Sequence, residues 1–205
     1  MLETPDLNVT PDIGPVTDHH MLVFPKSHFT SYASCPDNFA DQLDFVCQTV
    51  KEKTGASDYF MFEHGTGKIE GEQTGCGNSV YHAHLHILPI KSEGQISVLD
   101  QIVSIAMNEG NFKMQPVFFK EGDRDIIPVL KEVTKGSPYL LIKQGKHGFV
   151  LVETEQIKVP SQFLRKVCAD ILEGNGSFWN WKEMTEIERL MVLSRLNNTY
   201  GIWQP

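Results

Sequence analysis

Three histidines alternate with apolar residues in one short segment of the chain. The segment covers residues 80–89 and reads VYHAHLHILP. Such a pattern predicts a β-strand, in which every second side chain points the same way and successive ones on a face lie about 6.6 Å apart. His82, His84 and His86 would then share one face. The spacing therefore predicts three imidazoles that act together.

Imidazoles on one face suit nucleophilic attack on phosphorus. A neutral imidazole is a nucleophile near neutral pH, because its unperturbed pKa is about 6.5. A covalent intermediate divides one difficult displacement into two easier ones, and neighbouring imidazoles can fix a tautomer or donate to a leaving oxygen. His-x-His on a strand is also a common zinc arrangement. Packing explains the pattern poorly, since each buried imidazole would need a hydrogen-bond partner.

Three further landmarks accompany the histidines. Residues 77–80 read GNSV, residues 20–28 read HMLVFPKSH, and residues 12–15 read DIGP. Together with the triad, and in their order along the chain, these landmarks resemble the histidine-triad (HIT) family, whose signature is His-φ-His-φ-His-φ-φ. The resemblance covers about residues 5–92.

The resemblance implies a separate role for each of four histidines. His84 matches the nucleophile, and His86 matches the residue that contacts the phosphate and helps the leaving group. His82 matches the residue that orients the nucleophile through hydrogen bonding. His20 matches a fourth histidine that backs the triad.

The resemblance also implies a set of substrate contacts. Ser79 matches a hydroxyl that contacts the phosphate, and Asn78 stands where glutamine is usual. Asp12 matches a carboxylate that accepts both ribose hydroxyls, which suits the acceptor-only chemistry of an ionised carboxylate. Ile13 matches an apolar contact to the base.

The chain departs from the family pattern in two places. Many relatives carry Asn-Glu-Gly or Gln-Asp-Gly where this chain has Glu63-His64-Gly65. An anionic Glu63 would repel a polyphosphate unless it is protonated or paired, so it indicates a different substrate or a role in proton transfer. The chain is also longer than the usual short member by roughly a hundred residues.

The elements that must position these residues follow from periodicity and turn residues. Alternation and apolar runs predict strands at residues 6–11, 21–25, 59–63, 80–89 and 117–120, and a hairpin of residues 139–143 and 148–153. Helical spacing predicts helices at residues 36–54, 96–110, 123–133, 161–172 and 182–197.

These elements and the resemblance imply an α+β fold with an antiparallel sheet flanked by helices. Residues 1–110 are expected to form the catalytic core, and residues 111–205 a mostly helical α/β extension packed on that core. In the extension, a tryptophan-rich stretch follows Arg165. Arg165 could reach the site as a phosphate clamp, because a guanidinium matches phosphate geometry.

Composition narrows the functional classes. The net charge is -8 over 205 residues, which argues against a nucleic-acid partner. The four cysteines, Cys35, Cys47, Cys76 and Cys168, form no CxxC pair and are expected to be reduced thiols. The sequence shows no secretory leader and no apolar run of about 20 residues. We therefore expect a cytoplasmic protein without a membrane partner.

The expected activity is nucleotide hydrolysis or nucleotidyl transfer at the α-phosphorus, through a nucleotidyl-histidine. Dinucleoside polyphosphates are the preferred substrate class, and transfer to inorganic phosphate is the close alternative. No cofactor is required, although Mg²⁺ could accompany a polyphosphate. Members of the family commonly form homodimers. Two other readings stay open: a metal-dependent enzyme that uses the three histidines as ligands, and a nucleotide-binding regulator without turnover.

Overall fold

One antiparallel sheet runs through the part of the chain that the structure describes. The computed structural model describes residues 2–66, 82–90, 96–109, 116–120, 125–152, 159–160, 162–173, 179–180 and 182–203. Within these ranges the strands are β1 (Leu2–Glu3), β2 (Leu7–Pro11), β3 (Met21–Pro25), β4 (Asp58–Gly65), β5 (Leu85–Ile90), β6 (Pro116–Lys120), β7 (Tyr139–Gln144) and β8 (His147–Val152). Their order in the sheet is β1-β2-β3-β5-β4-β7-β8-β6.

Helices cover both faces of the sheet. They are α1 (Phe39–Thr54), α2 (Ile96–Glu109), α3 (Ile126–Thr134), α4 (Phe163–Glu173) and α5 (Glu186–Trp203), with a short 3-10 turn at Tyr32–Ser34. Helices α1 and α3 contribute to one apolar layer. Helices α2 and α4 contribute to the other.

Residues of β4 alternate between these two layers. Tyr59 and Met61 pack into the layer of α1 and α3, whereas Phe60 and Phe62 pack into the layer of α2 and α4. The alternation follows from the pleat of a strand, whose successive side chains point to opposite faces. It fixes the face on which each neighbouring polar residue must lie.

Strand β5 brings His86, the last histidine of the triad, into the middle of the sheet. It pairs with β3, where His86 lies opposite Leu22, and with β4, where His86 lies opposite Phe62. The site is therefore built on a strand that is hydrogen-bonded on both sides, which holds its side chains in fixed positions.

Local sequence explains where two elements end. Helix α1 buries Leu43, Val46 and Val50 at helical spacing, and it ends at Gly55, whose φ of +63° suits a residue without a Cβ. Gly145 turns the β7–β8 hairpin with a φ of +52°. Both glycines occupy the left-handed region, which other residues adopt only with strain.

The predicted fold class is confirmed: an antiparallel sheet is flanked by helices, and the C-terminal region is helical with three further strands. The predicted strand at residues 80–89 is wrong at its start, because β5 begins at Leu85. Before it, the backbone N–H of Ala83 donates to the carbonyl of Phe29 at 2.7 Å, so this residue bonds to a loop instead of a neighbouring strand.

The two predicted segments, residues 1–110 and 111–205, share the sheet. Strand β7 of the second segment pairs with β4 of the first over six residues, from Phe60–Gln144 to Gly65–Tyr139. None of the helices in the described ranges is long and apolar enough to cross a membrane.

Candidate functional site

His86 occupies the centre of the site. Its ring stacks on Phe62 of β4, with centroids 4.4 Å apart and planes 12° apart. The ring of His20, which lies immediately before β3, is 5.0 Å away. His86 is thus held between a strand neighbour and a second imidazole.

A hydrogen-bond chain fixes the tautomers of His20 and His86. The backbone N–H of Val16 donates to Nδ1 of His20 at 3.3 Å, so the proton of a neutral His20 lies on Nε2. That Nε2 is 2.9 Å from Nδ1 of His86 and donates to it. The proton of a neutral His86 is then on Nε2, the nitrogen that faces away from His20. The tautomers follow from the partners, since each neutral imidazole has one donor and one acceptor.

Both imidazoles are kept neutral by burial. Burial lowers the pKa of His20 well below its usual value, although Asp12 opposes this. Burial likewise lowers the pKa of His86 to about 4, against the opposing effect of the nearby Asp12 carboxylate. Desolvation disfavours the charged imidazolium. At neutral pH the pair therefore carries no net charge.

The backbone of His82 sets the tautomer of His84. The Nδ1–H of His84 donates to the backbone carbonyl of His82 at 2.8 Å, which leaves Nε2 unprotonated. Burial lowers the pKa of His84, while the bond to the His82 carbonyl raises it. The ring lies 5.3 Å from that of His86. His84 is accordingly a neutral imidazole with an unprotonated Nε2, beside a potential proton donor.

His82 acts through its backbone. Its carbonyl orients His84, while its Nε2 lies 2.7 Å from the carbonyl oxygen of Pro25 and donates to it. Its ring packs edge-on against His28 at 5.3 Å and against Phe24 at 6.1 Å. The imidazole thus anchors the segment to the end of β3.

Asp12 lies beneath the histidine pair, in the loop after β2. Its Oδ1 accepts the backbone N–H of Gly14 at 2.7 Å, and its Oδ2 accepts Nη1 of Arg165 at 2.6 Å. Oδ2 is also 3.5 Å from Nδ1 of His86 and 3.8 Å from Nε2 of His20. Only 4% of the residue is exposed.

The carboxylate of Asp12 stays ionised despite its burial. Burial alone would raise its pKa, but His20, His86 and Arg165 together lower the pKa well below its usual value. An opposite charge at hydrogen-bond distance favours the ionised carboxylate. Asp12 and Arg165 therefore form a buried ion pair next to two neutral imidazoles.

Arg165 reaches the site, as the sequence suggested, but through Asp12. Its Nη2 donates to the carbonyl of Gly14, and its Nε donates to the carbonyl of Trp179 at 3.2 Å. With Nη1 on Asp12, all three guanidinium nitrogens have protein partners. The geometry is that of an anchor for the loop, and differs from the phosphate clamp that the sequence suggested.

The remaining predicted substrate contacts are Ile13, Asn78 and Ser79. Ile13 is 69% exposed beside Asp12, open to a ligand. Asn78 and Ser79 lie outside the described residues.

Glu63 does not join the histidines. Neighbouring Phe62 stacks on His86, so the alternation of β4 turns Glu63 to the opposite face. There its Oε1 accepts the backbone N–H of Tyr32 at 2.9 Å and its Oε2 accepts the hydroxyl of Tyr139. Burial raises the pKa of this carboxyl to about 7, against the lowering effect of both hydrogen bonds. The structure thus places Glu63 within the core, where a polyphosphate would not meet it.

The structure groups a different set of potential metal ligands from the three triad histidines that the sequence suggested. Among the described residues, Asp12, His20 and His86 bring ligand atoms within 4.8 Å of one another, and the three triad histidines do not form such a group. The guanidinium of Arg165 already bonds to the carboxylate of this group. A cation there would meet a fixed positive charge, and we assign no metal site.

Two residues of the site went unrecognised in the sequence. Phe62 supports His86 by stacking. His64 lies two residues further along β4, hence on the same face, and lowers the pKa of His84 electrostatically. The alternation of β4 predicts that Phe62 and His64 share one face of the strand. Only the pairing of β4 with β5 shows that this face lies at the histidine site.

Comparison with known proteins gives sequence matches in the N-terminal part of the chain. The HIT domain family matches residues 1–93. Protein HitA of Neisseria gonorrhoeae is 34% identical over 80 residues, which are 38% of this chain and 69% of that protein. An uncharacterized HIT-like protein of Borreliella burgdorferi is 30% identical over 84 residues, which are 40% of this chain and 60% of that protein. The chain thus covers less than two thirds of the Borreliella relative.

One solved structure aligns with almost the whole chain. It is described as a uridylyltransferase, and it covers 97% of this chain and 88% of its own, with a TM-score of 0.46 and 10% sequence identity.

Proposed function

The chain belongs to the histidine-triad (HIT) family, and from that premise we propose that it is a nucleotide hydrolase or nucleotidyl transferase with His84 as its nucleophile. The observation that carries the proposal is the hydrogen bond from Nδ1 of His84 to the carbonyl of His82. It commits the ring proton to one side and leaves the Nε2 lone pair available for attack. Activation by an oriented hydrogen-bond partner is typical of nucleophilic side chains.

The first half-reaction forms a bond between Nε2 of His84 and the α-phosphorus of a nucleoside phosphate. The bond from phosphorus to the leaving oxygen breaks, and the leaving group departs with that electron pair. The nucleotidylated ring carries a positive charge, which the carbonyl of His82 stabilises through the Nδ1–H. Nε2–H of His86, 5.3 Å away between ring centroids, hydrogen-bonds a phosphoryl or leaving oxygen. Such charge stabilisation and positioning supply most of the catalysis in phosphoryl transfer.

The second half-reaction restores the enzyme. A water molecule attacks the phosphorus, the bond from phosphorus to Nε2 breaks, and its electron pair returns to the ring. The proton of the water passes to the departed leaving group or to solvent. Inorganic phosphate in place of water would make the enzyme a phosphorylase-type transferase.

Dinucleoside polyphosphates remain the substrate class that we prefer, because both halves of such a molecule offer an α-phosphorus. The proposed chemistry requires no cofactor, and Mg²⁺ would enter only with a polyphosphate substrate. A homodimer is a further expectation, to be measured by the molecular mass in solution.

The decisive experiment is labelling with an α-³²P dinucleoside polyphosphate. We expect acid-labile, base-stable label on wild type and none on His84→Ala. The control is His147→Ala, which removes an exposed histidine on the β8 hairpin and should label like wild type. Equal labelling of His84→Ala, or turnover that survives this change, would exclude His84 as the nucleophile.

Metal analysis of the same preparations addresses the remaining alternative. We expect no stoichiometric metal in protein purified without chelators, and turnover that withstands treatment with a chelator. One bound zinc per chain that is lost in His86→Ala would instead identify a metal enzyme.

A further inference from the structure

The C-terminal helices hold the loop that carries two residues of the site. Asp12 and His20 begin and end the nine-residue connection between β2 and β3. From α4, Arg165 bonds to the side chain of Asp12 at 2.6 Å and to the carbonyl of Gly14. One region of the loop is thus fixed by a residue 153 positions away in the sequence.

A second arginine, on α5, fixes the rest of this loop. Nη1 of Arg195 donates to the carbonyls of Pro15 at 3.2 Å and Val16 at 2.7 Å. Its Nε is 3.5 Å from Oδ1 of Asp18, and its Nη2 pairs with Glu173 of α4. Bonds to backbone carbonyls hold the chain itself, so the loop has little freedom to rearrange.

The consequence for Asp12 is that neither carboxylate oxygen is open to a ligand. Oδ1 is occupied by the N–H of Gly14, and Oδ2 by Arg165, with His86 and His20 on its remaining side. A vicinal diol needs two accessible acceptor lone pairs. A carboxylate that is 4% exposed does not offer them.

We propose that Arg165 is a positioning residue that holds Asp12 as a buried, charge-compensated carboxylate beside the neutral His20–His86 pair, and that the ribose hydroxyls of the substrate do not bind Asp12. This proposal rests on the proposed function, since it concerns the nucleotide bound at the same site. It assigns the C-terminal helices a part in the catalytic machinery.

The physical basis is the balance of charge around two imidazoles. A lone buried carboxylate beside His20 and His86 would favour their protonated forms. Burial lowers the pKa of both rings, and the guanidinium of Arg165, which offsets the charge of Asp12, lowers it further. His86 then keeps Nδ1 as an acceptor and Nε2–H as the donor toward the substrate.

The first test measures ribose recognition by calorimetry. Adenosine 5′-monophosphate and its 2′,3′-dideoxy form are titrated into wild type and Asp12→Asn. We expect the ratio of the two dissociation constants to be the same in both proteins, within about threefold. One lost charge-assisted hydrogen bond changes affinity by roughly tenfold or more. A ribose preference in wild type that falls by this amount in Asp12→Asn would overturn the assignment.

The second test reads the imidazoles directly and needs no turnover. Histidine-¹⁵N NMR at neutral pH is recorded for wild type, Arg165→Met, Arg165→Lys and Arg189→Met. Arg189→Met removes an exposed arginine of α5 and should leave the spectrum unchanged. Arg165→Met should protonate the His20–His86 pair and convert the acceptor signal of His86 Nδ1 to a protonated one. Arg165→Lys should keep much of the wild-type pattern, because it keeps the charge.

Kinetics of these variants separate positioning from simple loss of structure. Arg165→Met should lower kcat at least tenfold with KM changed less than threefold, and Arg165→Lys should recover part of kcat. Unchanged ¹⁵N signals in folded Arg165→Met would refute the positioning role. Failure of the labelling experiment with His84 would refute the proposed function instead, and the NMR comparison would still decide the role of Arg165.

Discussion

Replacement of Glu63 by glutamine should change how stability depends on pH. The carboxyl is 2% exposed and accepts bonds from the N–H of Tyr32 and the hydroxyl of Tyr139. Burial raises its pKa from 4.5 to about 7. The folded protein therefore binds this proton more tightly than the unfolded chain.

The sign follows from linkage between protonation and folding. The stability that Glu63 contributes is fully present below pH 4.5 and is lost as the pH rises to about 7. A shift of this size corresponds to about 3 kcal/mol in full, and about 2.5 kcal/mol of it falls between pH 5 and pH 8. Glu63→Gln keeps the shape and an acceptor oxygen but does not titrate.

The assay is urea unfolding of wild type and Glu63→Gln at pH 5, 6, 7 and 8. The pH dependence of wild type alone does not isolate Glu63. The pKa values of His20 and His86 are lowered in the folded protein, so their contribution to the free energy of unfolding decreases as the pH falls over a similar range. The difference between the two proteins removes that contribution. We expect the variant to gain about 2.5 kcal/mol relative to wild type from pH 5 to pH 8.

A difference that stays constant across this range would refute the reasoning. It would mean that Glu63 is ionised in the folded protein at pH 5, with its hydrogen bonds outweighing burial. A difference of the opposite sign would place the pKa of Glu63 below that of the unfolded chain.

Three further changes test packing and the triad. Gly65→Ala would place a Cβ 2.3 Å from the buried ring of Tyr139 and should lower the free energy of unfolding by about 1–3 kcal/mol. Gly201→Ala on α5 meets no atom of the described residues within 4 Å, so urea unfolding should show a gain of up to about 1 kcal/mol. His82→Ala keeps the carbonyl that orients His84, so steady-state kinetics should show kcat reduced by less than about tenfold. A loss as large as that of His84→Ala would assign the imidazole of His82 a direct role.

Local patterns were sufficient to predict most elements. The apolar run at residues 21–25 has the bounds of β3, and helical spacing ended by Gly55 gave the end of α1. These signals are local because periodicity and glycine conformation depend on a few neighbouring residues. Local patterns do not predict the start of β5. The backbone N–H of Ala83 bonds to the carbonyl of Phe29, which is distant in the sequence.

The roles of charged residues depended on contacts that are distant in sequence. The sequence suggested that Arg165 reaches the site, but its partner Asp12 is at the other end of the chain. Glu63 was expected near the substrate, and the pairing of Phe62 with His86 turns it to the other face. Alternation shows that a strand has two faces. Only the pairing with neighbouring strands determines which of these faces lies at the site.

The pairing of β4 with β7 bears on any attempt to isolate the part of the chain that matches the HIT domain. A fragment that ends near residue 110 would lack β7 and leave one edge of β4 unpaired along six residues. Those residues include Phe60, Met61 and Phe62, all buried in the complete chain. A long apolar edge strand readily pairs with another copy of itself. The excised fragment would therefore self-associate. In the complete chain, β7 covers this edge of β4 and so protects the N-terminal half from aggregation.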